Sequence, residues 1–420
     1  MMRAGLLAVG ARSLLSSKAA RAARSIRQER AAPRFYIQVM PSGGLDAIYT
    51  TDPKTRGEVE PDIDVPFAAN DIAEASGMRL GPGFRQLGRW APRLAIVNAF
   101  RQNAANHISG TLHATRFKTH TTALAPTLLQ ILGGRRQREA VGAINIGDTF
   151  ATAYSPKYLG EPTERWTFGT ELGLFDHMDR ADPDGLISLS HVLEREADET
   201  SRHASVEAGA TATNLRETAA LFRGAALAPR FAPVDWGKGS AVAETEAEYN
   251  GGKDFQRALW LIENRLARCV SVSIGRQDFD THVWNPVYQP RLTSWLGFLL
   301  DRLFTELDTR TVDGRPLSEQ TAVVVGSEIG RFPRLNAGRG KDHFPQAPYM
   351  FFGPWFAGGK TFGETDRNMA TRPVALDTGL PQAGGHPLRV DDIGTTLLNL
   401  DGAQPERFGY AGEHLTFLTS

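Results

Sequence analysis

The sequence is almost without cysteine. Cys269 is the only one in 420 residues, which excludes an intramolecular disulfide and a cysteine-rich zinc site, though not an oxidising compartment. Net charge is missing too. Lys plus Arg and Asp plus Glu both number 47, so nothing in the balance points to nucleic acid as a partner. No apolar run is long enough to span a bilayer. A nucleotide-binding loop is absent: Gly340-Lys341 lacks the first glycine of that motif, and Asp342 stands where Ser or Thr would follow. An EF-hand fails as well. Asp182, Asp184 and Gly185 would fit its third, fifth and sixth positions, but Arg180 and His191 fall at the first and twelfth. The stretch 176–185 therefore reads as a solvated turn. There is no internal repeat and no linker separating two domains.

What is present is ordinary soluble-protein composition, 41% hydrophobic and 22% charged, enough for a large core. The 42 glycines and 24 prolines suit a loop-rich α/β protein. Residues 1–34 differ from the rest. A weakly apolar run, Ala4–Ala11, follows Arg3, Ala20-Arg21-Ala22 fits a small-x-small cleavage pattern, and arginines dominate up to Arg34. The segment reads as an export signal of twin-arginine character lacking the twin arginines, or as a disordered basic tail. The first reading places the protein in the periplasm or outside the cell. Residues 35–420 read as one domain.

Strand and helix signals alternate along that domain. Arg34–Met40, Leu94–Phe100, Val141–Ile146, Val270–Ile274, Thr321–Gly326 and Tyr349–Gly353 read as strands. Ile108–Phe117 reads as a helix start. His191–Arg223, Ala241–Leu266 (broken at Gly251-Gly252), Leu292–Leu307 and Val390–Leu400 read as helices. The pattern predicts an α/β fold with a mostly parallel central sheet and helices on both faces.

In such sheets ligands gather where strands leave the sheet. Asp46 follows the first strand through Gly43-Gly44. Asp280 and His282 follow Val270–Ile274, and Glu328 follows Thr321–Gly326. Asp342-His343 adds a second carboxylate–imidazole pair. These six oxygen and nitrogen donors, Asp46, Asp280, His282, Glu328, Asp342 and His343, are the candidate ligands for one or two divalent ions. Without thiolates they suit Zn, Mn, Fe, Mg or Ca. Each has a plainer reading as a turn cap or ion-pair member. Near the Ile108–Phe117 helix start, His107, Ser109 and Thr111 are candidate catalytic residues, where a helix N-terminus stabilises an anion. His107 reads equally as a hydrogen-bonded structural histidine.

The motifs in order, GGLD (Gly43–Asp46), NHISGTLHATRF (Asn106–Phe117), FDTH (Phe279–His282), SEIGR (Ser327–Arg331), KDHF (Lys341–Phe344) and VDDIGTTLLNLDG (Val390–Gly402), resemble the bacterial family called domain of unknown function 1501. That family belongs to the alkaline-phosphatase-like superfamily. The resemblance implies an alkaline-phosphatase-like sheet and a two-metal site built from strand-end Asp and His. Glu328 falls at the Asp of the superfamily's Ser-Asp-His-Gly motif, Ile329 at its His, and His343 could compensate. ISGTLHATRF is similar to a sulfatase stretch, with Arg116 on that stretch's arginine and Ala105 or Asn106 where its nucleophile stands. Arg116, Arg331 and Lys341 are candidate substrate-binding residues. The implied substrates are small-molecule or polymeric phosphate or sulfate esters. The implied partner is an exported protein of a second unknown family (domain 1800) that accompanies this one in genomes. Against a metal-dependent hydrolase stands a non-catalytic envelope module that keeps the fold.

Overall fold

The computed structural model describes residues 32–122, 125–135, 138–147, 182–203, 205–236, 251–275 and 278–419. Residues 1–31, and 176–181 of the acidic stretch, lie outside them. So do residues 241–250 of the expected Ala241–Leu266 helix.

Seven strands form the central sheet: β1 (Phe35–Pro41), β2 (Leu94–Arg101), β3 (Val141–Ile146), β4 (Ala267–Ile274), β5 (Thr321–Gly326), β6 (Gln346–Phe352) and β7 (Lys360–Phe362). Their order is β7-β2-β6-β5-β1-β4-β3. All pairings are parallel except those of β6, which runs antiparallel to β5 and β2. The predicted mostly parallel sheet is thus the one observed. Strand β5, TAVVVG, is buried throughout, as expected of a β-branched run between two helical layers.

Alternation along β1 divides the interior. Phe35, Ile37 and Val39 face one core, with Leu296, Leu300, Leu303 and Phe304 of α6 (Asn285–Thr309) and Leu259 and Ile262 of α5 (Gly251–Glu263). Tyr36 faces the other, with Leu128 and Leu132 of α2 (Leu128–Arg135) and Ile393 and Leu397 of α7 (Val390–Leu400). Period 2 in the strand therefore feeds apolar side chains to helices on both faces.

The helical stretch expected over 191–223 is two helices, α3 (Pro183–Thr200) and α4 (Val206–Leu227). Ser205 starts the second by accepting from the Ala208 amide at 3.0 Å. The first begins inside the stretch read as a turn. Asp182 accepts from the Gly185 amide at 2.6 Å and Pro183 opens the helix. Asp-Pro is a turn signal, but it is equally an N-cap followed by a first-turn proline.

Between β2 and β6 the register slips. Ala347 pairs with Phe100 and Tyr349 with Val97, so Asn98 and Ala99 together oppose Pro348. This is a β-bulge at a residue with no N–H to give the ladder.

The sheet's directions decide where the site forms. The C-terminal ends of β1, β2, β4 and β5 share one rim, and β6, running the other way, begins there. Segments leaving four strands and the segment entering a fifth therefore meet at that rim.

Phe304 is fully buried and stacks on Phe352 with centroids 4.2 Å apart. Phe304→Ala is expected to cost about 3–5 kcal/mol. Urea denaturation would show it as a lower midpoint with an unchanged slope.

Candidate metal centre

Four segments deliver the site. After β2, Asn106 caps α1 (His107–Arg116) by accepting from the Ser109 amide at 2.9 Å, which sets His107 as the first helical residue. After β4, the chain turns at Gly275 and reaches Asp280 and His282. After β5, Ser327-Glu328 stays buried. Gly330-Arg331 then pairs antiparallel with His343-Phe344, fixing His343 just ahead of β6.

Asp280 is the centre. Its Oδ2 lies 3.1 Å from His107 Nε2. Its Oδ1 lies 3.1 Å from His282 Nε2 and 3.2 Å from His343 Nε2. His282 Nε2 and His343 Nε2 are 2.9 Å apart. Ligand atoms of His107, Asp280 and His343 all fall within 4.8 Å of one another. The His343 ring packs between the other two, with centroid separations of 4.5 and 4.6 Å.

Each imidazole is anchored through its other nitrogen. His107 Nδ1 is 2.9 Å from Glu328 Oε1, His282 Nδ1 is 3.1 Å from Asp342 Oδ1, and His343 Nδ1 is 2.8 Å from the Ala105 carbonyl. Carboxylate and carbonyl oxygens accept only, so all three Nδ1 atoms carry the proton and donate. In the neutral imidazoles the three Nε2 atoms then carry lone pairs turned toward Asp280, and in the imidazolium form they donate to it. Two such lone pairs 2.9 Å apart repel unless a cation or proton lies between them. Tetrahedral zinc, with bonds of about 2.0–2.1 Å, spaces its ligand atoms about 3.3 Å apart, close to the separations here. Oxygen acceptors behind ligating histidines are the usual outer support of a metal site. The donor set His107, Asp280 and His343 therefore fits one divalent ion, with His282 Nε2 next to His343 at its side.

The remaining candidates serve around that set. Glu328 is fully buried and accepts from the Gly43 amide at 2.7 Å and from Ser327 Oγ at 2.8 Å while holding His107. Asp342 stands behind His282. Asp46 is paired with Lys341 at 2.8 Å, and both side chains are enclosed. Arg331 is enclosed too. It donates to Asp280 Oδ1 at 2.6 Å, to the Lys341 carbonyl at 3.0 Å and to the Gly43 carbonyl. Two buried carboxylates, Asp46 and Glu328, and the half-buried Asp280 are thus met by two internal cations, because unpaired charge at depth is costly. Arg116 sits at the far end of α1, about 13 Å of helical rise from His107. Its Nε donates to the Ala125 carbonyl at 3.0 Å. Thr111 is buried one turn behind His107, and Ser109 projects from a different side of the helix.

Proton affinities follow this geometry. Burial disfavours the His107 imidazolium, but bonds to Asp280 and Glu328 outweigh it, and its pKa is pushed up to about 9. Burial raises Asp280, yet His107 and Arg331 hold it well below the usual carboxylate range. Asn336, and then His282, lower Asp342.

Asn336 supports the same group from the loop after β5. Its Oδ1 accepts from the Gly338 and Gly340 amides, each at 2.9 Å. Its Nδ2 donates to the His282 carbonyl at 3.0 Å and to Asp342 Oδ1 at 2.9 Å. The signal available was its place in Asn-x-Gly-x-Gly, where a side-chain carbonyl closes a turn. Close approach requires two of the glycines. A Cβ at Gly340 would lie 1.9 Å from the His282 backbone carbon. One at Gly44, where φ is +114°, would lie 2.5 Å from Arg331 Nε.

With the site described, relatives can be set beside it. The sequence of residues 193–417, more than half of the chain, matches the family described as Protein of unknown function (DUF1501). The chain belongs to this family. The matched span includes Asp280, His282, Glu328 and His343, while Asp46 and His107 precede it. No curated protein sequence matches the chain. Similar solved structures include the lipoteichoic acid synthase LtaP from Listeria monocytogenes, at 9% identity over 93% of this chain and 77% of that one, with a TM-score of 0.45. A sulfatase from Pseudoalteromonas sp. has 11% identity over 94% and 74%, with a TM-score of 0.40. An alkaline phosphatase from the Antarctic bacterium TAB5 has 11% identity over 89% and 99%, with a TM-score of 0.39. No structural neighbour supplies a residue role here; the site rests on the distances above.

Two outcomes are expected. Asn336→Ala should weaken zinc affinity by about 10–100-fold, the usual cost of losing outer support, measured by competition with a chromogenic chelator. In the chelator-treated protein, the His107 pKa lies above its ordinary 6.5. Its contribution to stability is therefore complete below about pH 6.5 and lost as pH rises through about 9. Urea melts from pH 6 to 10 should show wild type losing ground to His107→Gln across that window.

Proposed function

We propose that this protein is a single-ion metalloprotein acting on phosphate or sulfate esters as a hydrolase. The observation that carries the metal is the common anchoring of three histidines, each with Nδ1 donating to oxygen and Nε2 turned on Asp280. When bound there, a divalent ion supplies Lewis acidity toward an ester oxygen. The ester reading is supported by the motif order Gly43–Asp46, Asn106–Phe117, Phe279–His282 and Ser327–Arg331, which resembles that of the alkaline-phosphatase-like superfamily. Zinc suits this set of imidazoles and a carboxylate.

The chain's own residues have limited chemical roles. The N-terminus of α1, which carries His107, favours an anionic group beside the site. His282 and the exposed Asp342 lie on its open side and can orient a proton donor or acceptor there. Ser109 and Thr111 do not project with His107 into the cluster, so the reading contains no covalent step on a side-chain hydroxyl. Arg331 and Lys341 act within the wall, holding Asp280 and Asp46.

A second reading, a non-catalytic metal-binding module, is favoured by one observation. Arg331, Lys341 and Arg116 are all buried in their own contacts, leaving none of the three candidate cations to grip a substrate anion. We place either form outside the cytoplasm on the character of residues 1–34 alone, which cell fractionation with and without that segment would test.

Metal analysis by plasma mass spectrometry should find one zinc-class ion per chain and none in Asp280→Ala/His282→Ala. Hydrolysis of phosphate and sulfate esters by the loaded protein, lost in that variant, separates the hydrolase from the module. A wild type without metal after incubation with Zn, Mn and Ca would overturn both.

A further inference from the structure

Two residues after His282, the chain holds Trp284 with φ 52° and ψ 36°. That left-handed conformation is unfavourable for a bulky L-residue. Nothing in the core requires it, since the indole is 52% exposed. The conformation is nevertheless well fixed. The Trp284 amide donates to the Gly338 carbonyl at 3.2 Å, the Asn285 amide to the Arg339 carbonyl at 3.0 Å, and Val283 bridges Arg339. The Trp284 carbonyl accepts the Val287 and Tyr288 amides, opening α6. The loop that secures His282 thus also secures an exposed aromatic ring beside the candidate metal centre. Backbone strain over-determined by its surroundings clusters at ligand-binding sites.

The neighbours extend the surface. Tyr288 is exposed one turn along α6, with Val283 and Val287 exposed next to the pair. The Arg339 guanidinium lies 6.0 Å from the Trp284 ring centroid. Ile108, next to His107, is exposed at the start of α1. Apolar residues therefore flank metal-ligand candidates on two segments. An exposed indole and phenol that follow His282 in the chain match an ester whose alcohol presents a ring face.

We infer that Trp284, with Tyr288, forms a stacking platform for the non-reacting part of the substrate. The ligand class is an anionic ester of a ring-bearing alcohol, either aromatic or a sugar. This rests on the reading of the site as an ester-binding metal centre. Trp284 is a specificity-determining residue here, and the reacting group itself lies at the histidines.

The test uses the zinc-loaded full chain, with metal content verified. Calorimetry would compare methyl phosphate, phenyl phosphate and glucose 1-phosphate, and methyl and phenyl sulfate. Wild type should bind at least one ring ester about tenfold more tightly than the matching methyl ester, or about 1.4 kcal/mol. The phenyl and glucose arms distinguish an aromatic ring from a sugar. Trp284→Gly, which suits the left-handed backbone, should bring the ratio near one with zinc retained, and Trp284→Phe should restore most of it. Equal affinity for ring and methyl esters in wild type, or an unchanged ratio in Trp284→Gly, would overturn the platform and leave the ester-binding centre standing. Binding of none of the five by a zinc-containing wild type would overturn the ester reading and the platform with it. Concentration-dependent dimerisation abolished by Trp284→Gly, seen by sedimentation, would assign the surface to a second copy instead.

Discussion

One carboxylate organises the rim. Asp280 faces three imidazoles on its open side, while Arg331, fully enclosed, donates to its Oδ1 from within. Each of those partners is tied to a different piece of chain: His107 to the helix after β2, His343 to the approach to β6, His282 to the loop after β4, and Arg331 to the exit of β5. Burial would raise the carboxyl's pKa, yet the positive groups around it overcome that and keep it ionised. An ionised Asp280 in turn makes the gathering of histidines electrostatically tolerable. Neutralising it would leave Arg331 buried without its carboxylate and the histidines without a common partner.

Around that charge the loops are fastened to each other as well as to the sheet. The 336–343 loop reaches the 281–285 segment through Asn336 side-chain bonds, the Lys341 amide on the Thr281 carbonyl and the Trp284 amide on the Gly338 carbonyl. Lys341 then pins its own loop to the β1 exit through Asp46. The loop places His343, supports His282 through Asp342 and orients Trp284. Ligand geometry and the mouth of the site are therefore mechanically one unit, the arrangement that preorganised sites need.

The sheet was legible because its signals are local. Thr321–Gly326 is β-branched throughout, and Val270–Ile274 alternates and then exits into Asp-Thr-His. The rim positions of Asp46, Asp280 and Glu328 followed from those strands. Which carboxylate faces a histidine and which faces an ammonium was not legible, since Lys341 and Asp46 meet across 295 residues of chain and neither flanking segment records the other. His107 read equally as functional or structural because its partners, Glu328 and Asp280, lie on other strands. Asp342, grouped with His343 by adjacency, turns its carboxylate to the Nδ1 of His282, since neighbouring residues on an extended segment point opposite ways. The break at Ser205 was hidden by a composition that favours helix on both sides of it.

The bulge between β2 and β6 bears on all of this through parity. Ala95, Val97 and Phe100 all enter the same core cluster. In an uninterrupted strand Val97 and Phe100, three residues apart, would point to opposite faces. The extra residue opposite Pro348 reverses the alternation partway along β2, so the strand's last turnings, and the path toward His107, follow the opposite phase from its start. A family member shortened by one residue at Asn98–Ala99 could keep every strand and every ligand in name. Phe100, then two residues from Val97, would stay in the same layer by plain alternation, so what the bulge accommodates is one extra residue of chain between that layer and α1.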